Sequence, residues 1–174
     1  PAEDGIRGLI VTGVQTCALP ISLIGEPTQL QPIYKHKGIL IGRITFTGSS
    51  GHSSDPANGR NAMEAMHSMM GELISWRERA AQRYRDEEFA VAIPTLNLGR
   101  ISGGDSPNRI CADCELLFDI RLMPGMPIDT IVAELSALVA VVADRFDLAG
   151  EFVLPMAALE AMDTPAHSAL VTEL

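Results

Sequence analysis

The sequence predicts an α+β domain in which two helices cover one face of a four-stranded antiparallel sheet. Residues 109–122 alternate apolar and polar side chains, which indicates an antiparallel strand with one buried and one solvent-exposed face. Residues 61–83 and 129–142 repeat apolar side chains at helical spacing. The predicted elements follow in the order β-α-β-β-α-β, which is the split arrangement of ferredoxin-like folds.

The first half of the domain contains a strand, a loop and a helix. Residues 38–47 (GILIGRITFT) are rich in β-forming side chains and predict the first strand. Residues 48–60 are a loop by composition, with many Gly and Ser. Asn61 and Glu64 resemble a capping box, and the helix that they begin should run to about Arg83. Its predicted apolar stripe consists of Met63, Met66, Met70, Leu73 and Ile74.

The second half begins with a strand at 91–102, in which Pro94 marks the start or an edge. In the strand at 109–122, Cys114 is predicted on the apolar face and Cys111 on the polar face. A Cys-x-x-Cys pair suits zinc, but positions i and i+3 of a strand point to opposite faces, so we expect no metal there.

The remaining elements are a helix, a short strand and a helix start. Asp129 is the predicted cap of the second helix. Residues 151–156 (EFVLPM) predict the last strand. Residues 163–174 predict a further helix, with Pro165 in its first turn.

The composition excludes several classes of partner. The 174 residues carry a formal net charge of −9, whereas nucleic acids and anionic membranes attract clustered Lys and Arg. No apolar run approaches the roughly 20 residues of a membrane span. Three cysteines are too few for a disulfide framework and favour a reducing, cytoplasmic compartment.

The N-terminal segment differs in character from the rest. The stretches AEDGIR and VTGVQTCALPI resemble translated sequencing-adapter DNA, so we expect residues 1–22 to be a non-native, adapter-derived segment. Its cysteine, Cys17, would then have no function.

Two side chains are candidates for chemistry from their context alone. His52 lies in SGHSSDP, a loop of small residues that leaves an imidazole accessible for hydrogen bonding or proton transfer. Glu26 lies in GEPT, between the end of an apolar strand and a proline. On these residues alone, an ordinary surface histidine and an ordinary turn carboxylate remain open alternatives.

The segments GEPT, SGHSSDPANGRNA and NRICADCELLFDIR, in this order and spacing, resemble a family of dinuclear zinc hydrolases. That family includes aminoacylase, succinyl-diaminopimelate desuccinylase and acetylornithine deacetylase, and residues 94–125 are most similar to the deacetylases. The resemblance implies a catalytic α/β domain interrupted by a ferredoxin-like lid domain that forms a homodimer. It assigns residues 23–37 to the end of a catalytic-domain segment, 38–157 to the lid and 158–174 to the return into the catalytic domain.

The resemblance also implies roles for individual residues. Glu26 corresponds to a zinc ligand, and His52 to a lid histidine that binds the scissile amide oxygen in the partner subunit's site. Asn108 and Arg121 correspond to substrate-binding residues, with Arg121 holding the substrate carboxylate. The implied cofactor is zinc, two ions per subunit with cobalt as an alternative, and the implied substrate is N2-acetylornithine of arginine biosynthesis.

The spacing of the two substrate-binding residues predicts a shared site. Asn108 and Arg121 lie 13 residues apart along one predicted extended strand, a span of roughly 40 Å that a small substrate cannot bridge. His52 and Asn108 would then act in trans and Arg121 in cis.

Most of the family's metal ligands and its general-base glutamate lie outside the segments present. We therefore expect the chain itself to be inactive and to hold no zinc tightly. The alternatives are another member of the family, such as the desuccinylase or a metallo-carboxypeptidase, and a non-catalytic dimerisation module.

Overall fold

The structure of the protein, a computed structural model, describes residues 33–172. The elements in chain order are β1 (Lys35–His36), β2 (Gly38–Thr47), a 3-10 turn (Pro56–Asn58), α1 (Ala62–Arg83), β3 (Thr95–Gly103), β4 (Asp113–Leu122), α2 (Ile128–Phe146), β5 (Ala149–Val153), β6 (Met162–Asp163) and α3 (Ala169–Thr172). The predicted adapter-derived segment at 1–22 and the predicted zinc ligand Glu26 lie outside the described residues.

The four longer strands form one antiparallel sheet in the order β3-β4-β2-β5. Both long helices contribute to the core on one face of this sheet, so the predicted α+β, ferredoxin-like fold is confirmed. β1 and β6 form a separate two-stranded ribbon, in which Lys35 pairs with Asp163. The ribbon brings together the beginning and the end of the described chain.

The core follows from the two periodicities in the sequence. Every second residue of β2 and of β4 is buried, and those residues face the helices. Each large apolar side chain that is fully buried here contributes about 1.5–3 kcal/mol relative to exposure. The fully buried set includes Leu40, Ile44 and Phe46 of β2, Leu116 and Ile120 of β4, Met66, Met69 and Leu73 of α1, and Ile131, Leu135 and Val142 of α2.

The start of α1 is confirmed, whereas its predicted apolar stripe is partly wrong. The Asn61 side chain accepts a hydrogen bond from the Met63 N–H at 3.1 Å, which caps the helix. Met63 and Ile74 are 45% and 36% exposed. The buried face instead consists of the small side chains Ala62, Ala65 and Ala80 together with Met66, Met69, Leu73 and Trp76.

Further boundaries differ from the prediction. The strands expected at 91–102 and 151–156 are β3 (Thr95–Gly103) and β5 (Ala149–Val153). Pro127, not Asp129, is the N-cap of α2. Asp129 lies in the first turn, where its negative carboxylate interacts favourably with the positive end of the helix dipole. The final helix, α3, begins at Ala169, because Asp163 pairs with Lys35 of β1 instead of capping the helix. β4 begins at Asp113, so Cys111 precedes the strand and is buried rather than placed on its polar face.

Candidate functional site

Two loops lie side by side at the end of the sheet where β2 ends and β4 begins. His52 forms an antiparallel backbone bridge with Arg109. The Ser53 N–H donates to the Asn108 carbonyl at 3.0 Å, and the Ile110 N–H donates to the Gly51 carbonyl at 2.9 Å. These backbone contacts fix the histidine loop (residues 48–60) to the asparagine loop (residues 104–112).

The histidine loop is also closed on itself. Ser49 and Arg60 exchange two backbone hydrogen bonds, of 3.1 Å and 2.9 Å. A Cβ at Gly48 would lie 2.2 Å from the Arg60 carbonyl oxygen, and a Cβ at Gly59 would lie 2.6 Å from Ile110 Cδ1. The two glycines therefore allow the backbone to approach at distances that a side chain would prevent.

His52 projects from this closed loop as an exposed side chain. Its Nδ1 lies 2.7 Å from the Ser54 hydroxyl oxygen and accepts the Ser54 backbone N–H at 3.2 Å. No residue of the described chain forms a hydrogen bond with Nε2. One ring nitrogen is thus held by the loop, and the other can reach a ligand.

Asn108 belongs to the asparagine loop and not to β4, contrary to the extended strand assumed from the sequence. Its side-chain Oδ1 accepts a hydrogen bond from the Ser106 hydroxyl at 2.6 Å. Among the described residues, none accepts from its Nδ2. The next residue, Arg109, forms an ion pair with Asp105 at 2.6 Å, so its charge is paired. Asn108 Nδ2 is a neutral donor beside this pair.

Arg121 lies at the opposite end of the sheet. It is the penultimate residue of β4, paired with Ile39 of β2 and Thr95 of β3. Its Nε donates to Asp119 Oδ1 at 3.2 Å, and its side chain is 49% exposed. Eight residues of strand separate it from Asp113, which corresponds to roughly 26 Å.

The structure therefore brings His52 and Asn108 together and leaves Arg121 far from both. A groove of about 650 Å³ borders the two loops, lined in part by Thr45, Arg109 and Glu115. Sequence reasoning missed the two serines that contact the site side chains, Ser54 and Ser106. Each lies two residues from its partner, a spacing at which Ser and Asn side chains form local hydrogen bonds.

The described part of the chain offers no ligand set for a metal ion. Residues 33–172 contain no group of three or more His, Cys, Asp or Glu side chains that could hold one. Cys111 and Cys114 are both buried, and burial raises the pKa of the Cys114 thiol, which opposes formation of the thiolate that zinc requires. The predicted opposite-face geometry is wrong for Cys111, because that residue lies outside the strand.

Two helices on one face of a four-stranded antiparallel sheet, with a polar cluster on two joined loops, define a ferredoxin-like module. Residues 34–147 match the peptidase dimerisation domain of the M20 type, and the chain belongs to this family.

Solved structures share the fold at low identity. A tripeptidase from Staphylococcus aureus is 17% identical with a TM-score of 0.62, over 80% of this chain and 34% of that one. A hydantoinase/carbamoylase family amidase from Burkholderia ambifaria is 18% identical with a TM-score of 0.60, over 74% and 30%. An aminopeptidase from Bacillus cereus is 13% identical with a TM-score of 0.58, over 80% and 34%. The chain thus spans about a third of the length of these proteins.

No helix of the described residues is both long enough and apolar enough to cross a bilayer.

Proposed function

We propose that this chain is the lid and dimerisation domain of a metal-dependent amidohydrolase whose active site is shared between two subunits. The observation that carries the proposal is the position of the three candidate side chains relative to the two ends of one sheet. His52 and Asn108 lie at one end of β4, and Arg121 lies roughly 26 Å from its first residue. A small substrate that needs all three groups can reach them only if two copies of the domain contribute.

In this proposal each side chain has one task. His52 and Asn108 present N–H donors from the joined loops to the carbonyl oxygen of the scissile amide, where negative charge develops. The Arg121 guanidinium binds the substrate carboxylate of the other site. The finer assignment, hydrolysis of N2-acetylornithine in arginine biosynthesis, is supported by the similarity of residues 94–125 to the deacetylases.

The proposed cofactor is zinc, with cobalt as an alternative, which would activate water and polarise the amide carbonyl when bound. The described residues do not hold it, and Glu26 is the one proposed ligand in the chain. The proposed compartment is the cytoplasm, supported by the acidic composition and the small number of cysteines.

The ribbon of β1 and β6 supports the proposed domain division. An inserted domain leaves and re-enters its host at neighbouring points, and Lys35 and Asp163 lie side by side in this ribbon. We place the lid at 38–157, the preceding catalytic segment at 23–37 and the return at 158–174.

The partner in the proposed dimer is a second copy of this chain, docked on the surface formed by α1 and the outer edge of β3. β3 is an edge strand of nine residues, so one side of its backbone has no partner within the described sheet. Ile101 of β3 pairs with buried Leu116, yet is 49% exposed. Met63 and Ile74 extend this exposed apolar surface along α1, which packs against β3.

Gly71 supports close approach of another molecule at the same surface. A glycine inside a helix costs about 0.5–1 kcal/mol relative to alanine. A Cβ at Gly71 would meet nothing within 4 Å in the described structure, so packing inside the domain does not require the glycine. A second α1 crossing here would require it.

Exchange of Ile74 for arginine tests this surface. Ile74→Arg should shift the chain from dimer to monomer in sedimentation velocity, because it would bury an unpaired charge in the interface. The matched control is Val141→Arg on α2, where the side chain is 55% exposed and lies outside the proposed surface. Equal sedimentation of wild type and Ile74→Arg as dimers would place the interface elsewhere.

A mixed dimer tests the shared site in the full-length protein. His52→Ala and Arg121→Ala homodimers should each be inactive. A dimer of one chain of each kind would have one site without both groups and one intact site, so it should recover about half of the wild-type activity per dimer. A mixture that stays inactive would contradict a site shared between the two subunits. In a separate experiment, the relative rates of hydrolysis of N2-acetylornithine and succinyl-diaminopimelate would decide the substrate.

A further inference from the structure

The contacts of His52 define which of its ring nitrogens carries the proton. A neutral imidazole has one N–H donor and one acceptor nitrogen, and the partner of one nitrogen decides the tautomer. The Ser54 backbone N–H points at Nδ1 across 3.2 Å. Because a backbone N–H can only donate, Nδ1 has to be the acceptor.

The Ser54 hydroxyl supports the same assignment. Its oxygen lies 2.7 Å from Nδ1, a distance typical of a full hydrogen bond. A hydroxyl can donate or accept, so this contact alone would allow either tautomer. A proton on Nδ1 would clash with the hydrogen of the Ser54 backbone N–H, so Nδ1 is unprotonated. The hydroxyl therefore also donates to Nδ1.

The loop backbone keeps Ser54 in this position. The Asp55 N–H donates to the His52 carbonyl at 3.0 Å, which closes a turn with Ser53 and Ser54 at its centre. On the other side, the bridge to Arg109 holds the His52 backbone against the asparagine loop. The imidazole and its serine are therefore parts of one backbone unit, and their contact does not depend on a distant side chain.

We infer that Ser54 is a positioning residue that holds His52 in the tautomer with its proton on Nε2, so that the exposed side of the ring offers a hydrogen-bond donor. A neutral His52 in this state cannot accept a proton at Nδ1 without losing the Ser54 N–H contact. Its exposed nitrogen is a donor and not a base. The use of that donor toward a developing oxyanion rests on the proposed function, whereas the tautomer itself does not.

Nuclear magnetic resonance of this chain tests the tautomer without any activity. Two-bond ¹H–¹⁵N correlations distinguish Nε2–H from Nδ1–H, and the spectrum of His52→Gln assigns the His52 signals. The measurement is made at a pH above which the His52 ¹⁵N shifts no longer change, so that only the neutral ring is observed. Wild type should show Nε2–H as the main form.

Substitutions at the two serines separate the inference from a general effect of the loop. Ser54→Pro, which removes the backbone N–H that points at Nδ1, should lower the ratio of Nε2–H to Nδ1–H roughly five-fold, the effect of losing one hydrogen bond. Ser54→Ala, which keeps that N–H, should retain Nε2–H as the main form, and Ser53→Ala should leave the ratio unchanged. A dominant Nδ1–H form in wild type, or the same ratio in Ser54→Pro and Ser53→Ala, would overturn the inference.

Kinetics of the full-length protein distinguish failure of this inference from failure of the proposed function. Ser54→Pro should lower kcat several-fold with little change in KM, and Ser54→Ala, which keeps the backbone N–H, should retain most of the wild-type kcat. Full activity of Ser54→Pro beside an inactive His52→Ala would remove the positioning role and keep the proposed function. Full activity of His52→Ala would remove the proposed role of His52, and the tautomer result would stand.

Discussion

Substitution of Gly48 by alanine should loosen the loop that carries His52. The added Cβ would lie 2.2 Å from the Arg60 carbonyl oxygen and 2.9 Å from the Arg60 carbonyl carbon. Both atoms belong to the backbone, so they cannot move away as the end of a flexible side chain could. The Ser49–Arg60 pair would have to separate.

The expected cost can be worked out from these contacts. Relief of the overlap requires a backbone shift of roughly 1 Å, and overpacking of this kind typically costs about 1–3 kcal/mol. The two Ser49–Arg60 backbone hydrogen bonds, at 3.1 Å and 2.9 Å, would be exchanged for bonds to water. Each such bond contributes about 0.5–1.5 kcal/mol. Together these effects predict a loss of about 2–6 kcal/mol in the free energy of unfolding.

Urea denaturation followed by circular dichroism would measure this loss, at a protein concentration where the chain is monomeric. The matched control is Gly71→Ala, which adds the same methyl group to a helix position with open space around it. That control should gain about 0.5–1 kcal/mol. A Gly48→Ala variant within about 0.5 kcal/mol of wild type, a range typical of neutral surface changes, would refute the reasoning.

Two other predictions concern contacts between elements. Trp76 Nε1 donates a 2.8 Å hydrogen bond to Glu134 Oε2, which joins α1 to α2. Trp76→Phe removes this bond and should lower the free energy of unfolding, measured by urea denaturation, by about 1.5–3 kcal/mol. Glu134→Gln keeps an acceptor and should lower it by less. Lys35 contacts Asp86 and Glu88, both at 2.7 Å, and Asp163 at 3.4 Å. Its ammonium lowers the pKa of the Asp86 carboxyl below 3.8, so this stabilisation is present above that pH and is lost as the pH falls through the lower, folded-state pKa. Lys35→Met should therefore flatten the decrease of Tm below about pH 4, and a decrease identical to that of wild type would contradict this.

The elements that sequence reasoning predicted well are those specified by local signals. β2 was predicted from Gly38 to Thr47 and has these ends, because its run of β-forming side chains and the following Gly-Ser loop both mark them. The start of α1 was predicted because the capping side chain of Asn61 acts on a backbone N–H two residues away. Neither signal depends on contacts with distant segments.

The misplaced features depend on tertiary contacts that periodicity does not contain. The apolar residues of α1 cover about half of the helix circumference, so hydrophobicity alone could not show that Ala62 and Ala65 face the core while Met63 does not. Cys111 is buried because its segment bends under α1, where its carbonyl accepts the Ala62 N–H at 2.8 Å. The final helix was placed too early because the pairing of Asp163 with Lys35 links positions 128 residues apart.

The candidate site shows the same division between local and distant information. The small residues around His52 indicated an accessible imidazole, and His52 is exposed. The contact between the histidine loop and the asparagine loop could not be predicted from composition, because the bridge from His52 to Arg109 joins positions 57 residues apart. The serine contacts could have been proposed from their two-residue spacing, since such short-range hydrogen bonds are common for Ser, Asn and neighbouring groups.

The separation of the candidate side chains follows from topology and does not depend on any single contact. β2 and β4 pair antiparallel over ten residues each, from Gly38–Leu122 to Thr47–Asp113. His52 follows β2 by five residues and Asn108 precedes β4 by five, so antiparallel pairing brings both to the same end of the sheet. Arg121, one residue before the end of β4, lies at the other end for the same reason. Shortening both strands by two residues would bring the ends closer by only about 7 Å, so one sheet of this kind cannot place all three groups on a small substrate. A two-fold symmetric pair whose interface sets the two sheets antiparallel can, because each of its two sites then receives one end from each copy.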